Sequence, residues 1–266
     1  MRYHSKQSLL KYNSFRLKSV ANHLWLPENV EELASLFASI PEAQIIADGT
    51  NILLSPVINQ VICLNKMPSY ILQTDNNFVV SANCKTQKFV NLLTKLNISG
   101  IETLYGIPGT IGGAIVMNAG SKGIEISKHL NSVTVLTNKK QIKVYTKKQL
   151  NFKRRYSILQ TKKKLVLSAS FCFPKKEINR KLLKETIEYR KTLPKQPSAG
   201  GIFLNWYLLK DYSDKLKNLS YNDAQVSKCI NIIVNNGNAS YRDVIRLISK
   251  IMNIVSYKLK LEIKLK

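Results

Sequence analysis

The sequence predicts an α+β fold of two or three packed units, on three observations. At 266 residues the chain exceeds a typical single domain. Apolar residues at helical spacing occupy some stretches, while short β-rich runs between polar turns occupy others. Five of the eleven glycines fall within Gly106–Gly120, between apolar residues and with Pro108 fixing φ. Such a stretch describes a backbone brought close to something a Cβ would obstruct, a phosphate or a flat cofactor. It is not the dinucleotide fingerprint: Gly106 and Gly109 are three apart around Pro108, and Gly112-Gly113 lead into Ala114-Ile115-Val116-Met117, an apolar run suited to a strand. From these residues alone, a glycine-rich turn between two buried elements is an equally good reading.

The elements follow in order through three segments. In residues 1–66, Pro27-Glu28-Asn29 precedes a helix with Val30, Leu33, Phe37 and Ile40 on one face. Ile45-Ile46-Ala47 then reads as a buried strand, and Asp48-Gly49-Thr50-Asn51 as the turn before Ile52-Leu53-Leu54. Residues 67–178 hold a helix at 86–96, the glycine stretch, and strands at 132–136, 141–145 and 164–173, a pattern suited to a mixed sheet. Residues 179–266 open with a helix through Leu182, Leu183, Ile187 and Arg190 that Pro194 and Pro197 end. An apolar strand at 230–234 precedes a helix that Ser240 and Asp243 cap as a box, with Val244, Leu247, Ile248, Ile251 and Val255 as its core stripe. The last nine residues, 258–266, alternate strictly and predict one half-buried strand.

Composition narrows the function classes. No terminal apolar run is long enough for a signal peptide or membrane span. The four cysteines, Cys63, Cys84, Cys172 and Cys229, lack metal-ligand spacing and the density of a disulfide framework, which predicts no metal site and a reduced, cytoplasmic setting. Forty-one Lys+Arg against 16 Asp+Glu give a net charge of +25. That charge attracts polyanions in low salt. The lysines are dispersed, however, and no nucleic-acid-binding motif accompanies them, so no specific nucleic-acid partner is expected.

Gly100-Ile101-Glu102-Thr103-Leu104-Tyr105 followed by the glycine stretch resembles the signature of the UDP-N-acetylenolpyruvoylglucosamine reductase family, flavoproteins of peptidoglycan synthesis. The resemblance continues through Asn13-Ser14-Phe15-Arg16, through Phe152-Lys153-Arg154-Arg155-Tyr156-Ser157 and through Pro197-Ser198-Ala199-Gly200-Gly201-Ile202-Phe203-Leu204-Asn205, nearly the whole chain. It implies an α+β fold with a two-part FAD-binding region of the vanillyl-alcohol-oxidase/PCMH type, over 1–66 and 67–178, and a smaller C-terminal α+β substrate domain over 179–266. It implies noncovalent FAD at Gly49, Thr50 and Asn51 and at Gly106, Ile107, Pro108, Gly109, Thr110, Gly112, Gly113, Ala114 and Asn118. NADPH is the implied hydride donor and a UDP-sugar the substrate of a monomeric enzyme. Substrate contacts fall on Arg155, Asn205, Arg190 and Lys195, and catalysis on Arg155, Glu262 and position 201. An arginine suits a substrate carboxylate because its planar fork binds both oxygens and stays charged. Glu262 has an equal alternative as a solvent-facing charge on an edge strand.

The chain departs from the family pattern at four places. Ala47 and Asp48 replace two glycines of the pyrophosphate turn, Arg154 stands where tyrosine is usual, and Gly201 takes the place of the proton-donor serine. Three functions follow: a slow reductase using water as the acid, a flavin-binding remnant without reductase activity, and a basic binding protein that has lost FAD.

Overall fold

The computed structural model describes residues 1–161 and 164–266. They form two compact units, each drawn from separate stretches of chain. The first comprises Met1–Arg2, Trp25–Ala47 and Ile62–Thr192, and the second Tyr3–Leu24, Asp48–Val61 and Leu193–Lys266. The three expected segments follow chain order, whereas the chain here leaves and re-enters each unit.

The first unit is organised by an antiparallel sheet in the order Ile142–Thr146, Leu130–Thr137, Lys164–Cys172, Asn77–Ser81, Ile71–Thr74. Alternation puts Val133 and Val135 inward, fully buried with Phe78, Val80 and Phe171. Helix α1 (Val30–Ser39) starts where Asn29 accepts from Glu32 N at 2.9 Å, and buries Leu33, Leu36 and Phe37 against Ile62, Leu136 and Leu165. Helix α2 (Thr86–Lys95) lays Phe89, Val90 and Leu93 on the sheet. Phe89 meets Phe171 at 5.1 Å and Phe78 at 5.7 Å between ring centroids, contacts worth about 0.5–1.5 kcal/mol each beyond their buried area.

The glycine stretch corrects one expectation. Residues 114–117 are not a strand: helix α3 (Ile111–Val116) runs through them, capped by Thr110. Besides Gly112 it buries Ile111, Ala114 and Ile115, at spacings of three and four that place these three on one helical face. Helix α4 (Arg180–Lys191) is capped by Asn179, which accepts from Leu182 N at 2.9 Å.

The second unit carries a sheet in the order Ser198–Gly201, Ile232–Asn235, Ala224–Val226, Ser220–Tyr221, all antiparallel. After a short α5 (Ser213–Leu216), helix α6 (Tyr241–Ile254) begins with the expected capping box. Its stripe of Val244, Leu247, Ile248 and Ile251 is buried in one core with Phe15, Leu53, Ile202, Phe203 and Ile263. The expected terminal strand is divided. Leu204 N donates to Lys260 O and Glu262 N to Ile202 O, both at 2.8 Å, whereas Lys264 N donates to Asn51 O at 3.1 Å and Lys266 N to Leu53 O at 2.9 Å. The chain changes partner at Ile263, so regular strand is confined to Lys264–Leu265, parallel to Ile52–Leu53. The alternation survives as burial only in part, with Leu259 and Ile263 inside, Leu261 half-buried and Leu265 exposed.

Glu102 is buried in the first unit. Its carboxylate accepts from Ser99 Oγ at 2.6 Å, Gly100 N at 2.9 Å and Asn179 N at 3.0 Å, tying the 99–102 turn to the start of α4. Burial alone would raise its pKa. The hydrogen bonds from Ser99, Asn179 and Gly100 together outweigh burial and hold the carboxyl below its ordinary value. A group lowered in the folded state adds stability that is present above its unfolded pKa and lost as pH falls through the folded one. Glu102→Gln should therefore cost about 1–3 kcal/mol in urea unfolding near neutral pH, and this deficit should vanish on acidification. A deficit constant with pH would assign the cost to shape rather than charge.

Candidate functional site

Each unit carries one cluster of the residues singled out in the sequence. In the first, the glycine loop is clamped from outside itself. Thr86 N donates to Gly109 O at 2.9 Å, Ile111 N to Cys84 O at 2.8 Å and Gly112 N to Ala82 O at 2.8 Å. A Cβ on Gly112 would stand 2.9 Å from Ala82 Cβ, so this glycine is required by the protein's own backbone approach. Gly113 is different. It is exposed, and a Cβ there would meet only Thr110 Oγ1, at 3.5 Å. Thr110 Oγ1 accepts from Gly113 N at 3.3 Å, while the N–H groups of Gly109 and Thr110 take no part in these contacts.

Arg190 holds the start of the loop. Its Nε donates to Tyr105 O at 3.0 Å and its Nη2 to Thr103 O at 3.4 Å, and its Cγ lies 2.8 Å from where a Cβ on Gly106 would be. Burial, and the nearby charge of Arg155, lower the pKa of this guanidinium. Its hydrogen bonds to main-chain carbonyls account for Arg190 as a brace of the loop.

The loop ends on Asn118, in the left-handed region at φ 44° and fully buried. Its Nδ2 donates to Glu125 Oε2 at 2.6 Å and to Lys153 O at 3.0 Å. Its Oδ1 is buried with no hydrogen-bond partner among the described residues. An acceptor in that state costs about 1–3 kcal/mol unless a ligand or water donates to it. Arg155, at φ 55° in the turn between Lys153 and Tyr156, donates from Nη2 to Gly120 O at 2.7 Å and from Nη1 to Asn118 O at 3.4 Å. Ser157, fully buried, donates to Val116 O at 2.8 Å, and Gln160 Nε2 donates to Arg155 O at 2.8 Å. The basic turn is thus fastened to the end of α3.

In the second unit, Gly49 lies at φ 62°, and a Cβ there would collide with Tyr12 O. Ser14 joins two motifs: its N–H donates to Gly49 O at 3.1 Å and its Oγ to Ser198 O at 2.7 Å. Asn51 Nδ2 donates to Glu262 O at 3.4 Å. Glu262 stands beside position 201, its Oε2 at 3.9 Å from a Cβ built on Gly201. Asn205 spends its amide on the terminal segment, donating to Lys258 O at 3.0 Å and accepting from Lys260 N at 2.9 Å. Lys195 is exposed.

The first unit therefore brings together Gly106–Asn118, Arg155 and Arg190, and the second Gly49–Asn51, Asn205, Gly201 and Glu262. Each cluster gains one residue that the sequence motifs do not mark. Glu125 binds Asn118, and its signal is isolation: it is the only carboxylate between Glu102 and Glu177. Asn231 lies against Gly201 and carries no signal in the sequence.

The FAD binding domain family matches residues 21–144, a span that holds both the 49–51 turn and the glycine loop. The UDP-N-acetylenolpyruvoylglucosamine reductase of Francisella tularensis is 35% identical over 258 residues, covering 91% of this chain and 90% of its own. Those of Prochlorococcus marinus, 32% identical over 96% of this chain and 93% of its own, and Caldanaerobacter subterraneus, 31% over 97% and 90%, are similar to it as well. Among solved structures, the crystal structure of the Thermus caldophilus UDP-N-acetylenolpyruvylglucosamine reductase superposes with a TM-score of 0.82 at 27% identity, over 99% of this chain and 98% of that one. The fold is the α+β FAD-binding type of the vanillyl-alcohol-oxidase/PCMH class implied by the sequence motifs. The chain belongs to the UDP-N-acetylenolpyruvoylglucosamine reductase family.

Proposed function

We propose that this chain is an FAD-containing oxidoreductase that uses NADPH to reduce UDP-N-acetylglucosamine enolpyruvate to UDP-N-acetylmuramate, a step of peptidoglycan precursor synthesis. The observation that carries the proposal is the end of the glycine loop. There a fully buried Asn118 offers an Oδ1 with no partner among the described residues, and Arg155 is fixed on the carbonyls of Asn118 and Gly120.

The residues present fit a flavin. Gly113 leaves the outer side of α3 open, Asn118 offers a buried acceptor, and the 109–110 amides lie outside the loop's internal contacts. We assign Gly106–Ala114 and Asn118 to holding FAD in the first unit, and Gly49, Thr50 and Asn51 in the second. Bound there, FAD would supply the hydride chemistry that links NADPH to the enolpyruvyl double bond, and with glycine at position 201 the proton that completes the reduction would come from water. Arg155 binds the substrate carboxylate and stabilises the negative charge that develops there, through a fork already oriented by two main-chain carbonyls. Glu262 acts beside position 201, placed by its main-chain bonds to Ile202 and Asn51. Arg190 positions the loop and Asn205 the segment bearing Glu262, while exposed Lys195 meets the substrate diphosphate. A second reading, a flavin-binding protein that completes only the NADPH half-reaction, is favoured by one observation: Gly201 has no hydroxyl to give.

Two predictions follow from this assignment. The purified protein should be yellow and bleach with NADPH under anaerobic conditions. Gly113→Val should melt like the apo-protein yet retain no flavin, because the added side chain meets open space rather than protein. A Gly113→Val protein that keeps full flavin content would remove the loop from the cofactor site. Arg155→Lys keeps the charge but loses the fork, so it should slow flavin reoxidation by substrate by about 10²-fold and leave flavin reduction by NADPH unchanged. Equal effects on both half-reactions would assign Arg155 to cofactor placement.

A further inference from the structure

Gly201 lies in the Ser198–Gly201 strand opposite Ile232. A Cβ built on it would stand 2.9 Å from Asn231 Nδ2 and 3.9 Å from Glu262 Oε2. The first distance is shorter than real Cβ contacts allow, so the volume a side chain at 201 would fill is already held by the Asn231 carboxamide. That carboxamide is pinned at both ends. Its Oδ1 accepts from Phe203 N at 2.8 Å and its Nδ2 donates to Phe203 O at 3.1 Å. The Asn231 main chain adds a third bond, its carbonyl accepting from Ile202 N at 2.8 Å. Ile202 O in turn accepts from Glu262 N at 2.8 Å. Ile202 is thus bonded to Asn231 through its N–H and to Glu262 through its carbonyl.

We propose that Asn231 is a positioning residue for the reduction, filling the side-chain volume of position 201 and fixing the strand on which the Glu262 carboxylate is hung. The proposal rests on the reductase reading and deepens it. Positions 201 and 231 then form an exclusive pair. A hydroxyl introduced at 201 must displace the carboxamide and break its two bonds to Phe203, so the missing serine cannot be restored alone. Asparagine at 231 and a small residue at 201 belong together, as do a side chain at 201 and a small residue at 231.

The test is a double-mutant cycle on the FAD-loaded protein, with Gly201→Ser, Asn231→Ala and the combined variant, read by thermal unfolding and by rapid mixing of both half-reactions. Gly201→Ser alone should lower Tm by about 4–8 °C, the loss of two buried hydrogen bonds, and should have a smaller effect in the Asn231→Ala background. Asn231→Ala alone should slow flavin reoxidation by the enolpyruvyl substrate about 10-fold without altering flavin reduction by NADPH, which a merely structural role would not separate. The combined variant should reoxidise about 10²-fold faster than Asn231→Ala, the contribution expected of a placed general acid. Additive Tm changes overturn the proposal whatever the activity, because the shared volume is then fictitious. Coupled Tm changes with a wild-type flavin that the substrate never reoxidises overturn it through the reductase reading instead, leaving the geometry intact.

Discussion

Three main-chain hydrogen bonds between the 109–112 backbone and residues 82–86 set the conformation from which the first unit's site is built. They bring two backbones so close that Gly112 admits no Cβ, and they deliver Thr110 to the point where it caps α3. Once α3 is in place, its last turn supplies the Val116 carbonyl that Ser157 and Gln160 hold, and the chain leaves it through Asn118 in the left-handed region. Arg155 then finds its two carbonyl partners at Asn118 and Gly120. Each bond contributes only about 0.5–1.5 kcal/mol net, but losing one inside a buried loop leaves a donor or acceptor without water, at a larger cost. Arg190 and Glu102 guard the other end, fastening residues 99–106 to α4.

The second unit obeys a comparable constraint with a different device. Its terminal segment pairs first with Ile202–Leu204 and then with Asn51–Leu53, so one stretch of nine residues ties the 49–51 turn to the strand carrying Gly201. Glu262 lies just before the change of partner. Its carboxylate is therefore placed by main-chain bonds on either side rather than by the strand register alone.

Local signals in the sequence were legible where the physics is local. The capping box at Ser240 and the stripe of α6 appear as expected, as do α1 after Asn29 and the strands around residue 133, although their sheet is wholly antiparallel where the pattern suggested a mixed one. The glycine loop was legible as a close approach, but not what is approached: at Gly112 it is Ala82, thirty residues earlier. Residues 114–117 are apolar enough for a strand, and only Thr110 and the clamp on Ala82 and Cys84 make them helix. The terminal alternation predicts burial at Leu259 and Ile263 but not the exposure of Leu265, and it predicts too long a strand, because a two-residue period carries no information about a switch of partner. Asn231 stayed hidden because its contacts are with residues distant in sequence, whereas Glu125 left only its isolation as a carboxylate, which says nothing of the turn that brings it to Asn118.

In the first unit Arg155 is held at the loop end, and in the second Glu262 is held beside a glycine that has no hydroxyl to offer. Whether that equipment completes the reaction is decided by one turnover. The FAD-loaded protein is reduced with one equivalent of NADPH, freed of nucleotide, and mixed anaerobically with UDP-N-acetylglucosamine enolpyruvate, and the product is identified by mass. Reductase activity requires return of the oxidised flavin spectrum with one equivalent of UDP-N-acetylmuramate per flavin. Flavin that stays reduced while the enolpyruvyl substrate is recovered unchanged would contradict it.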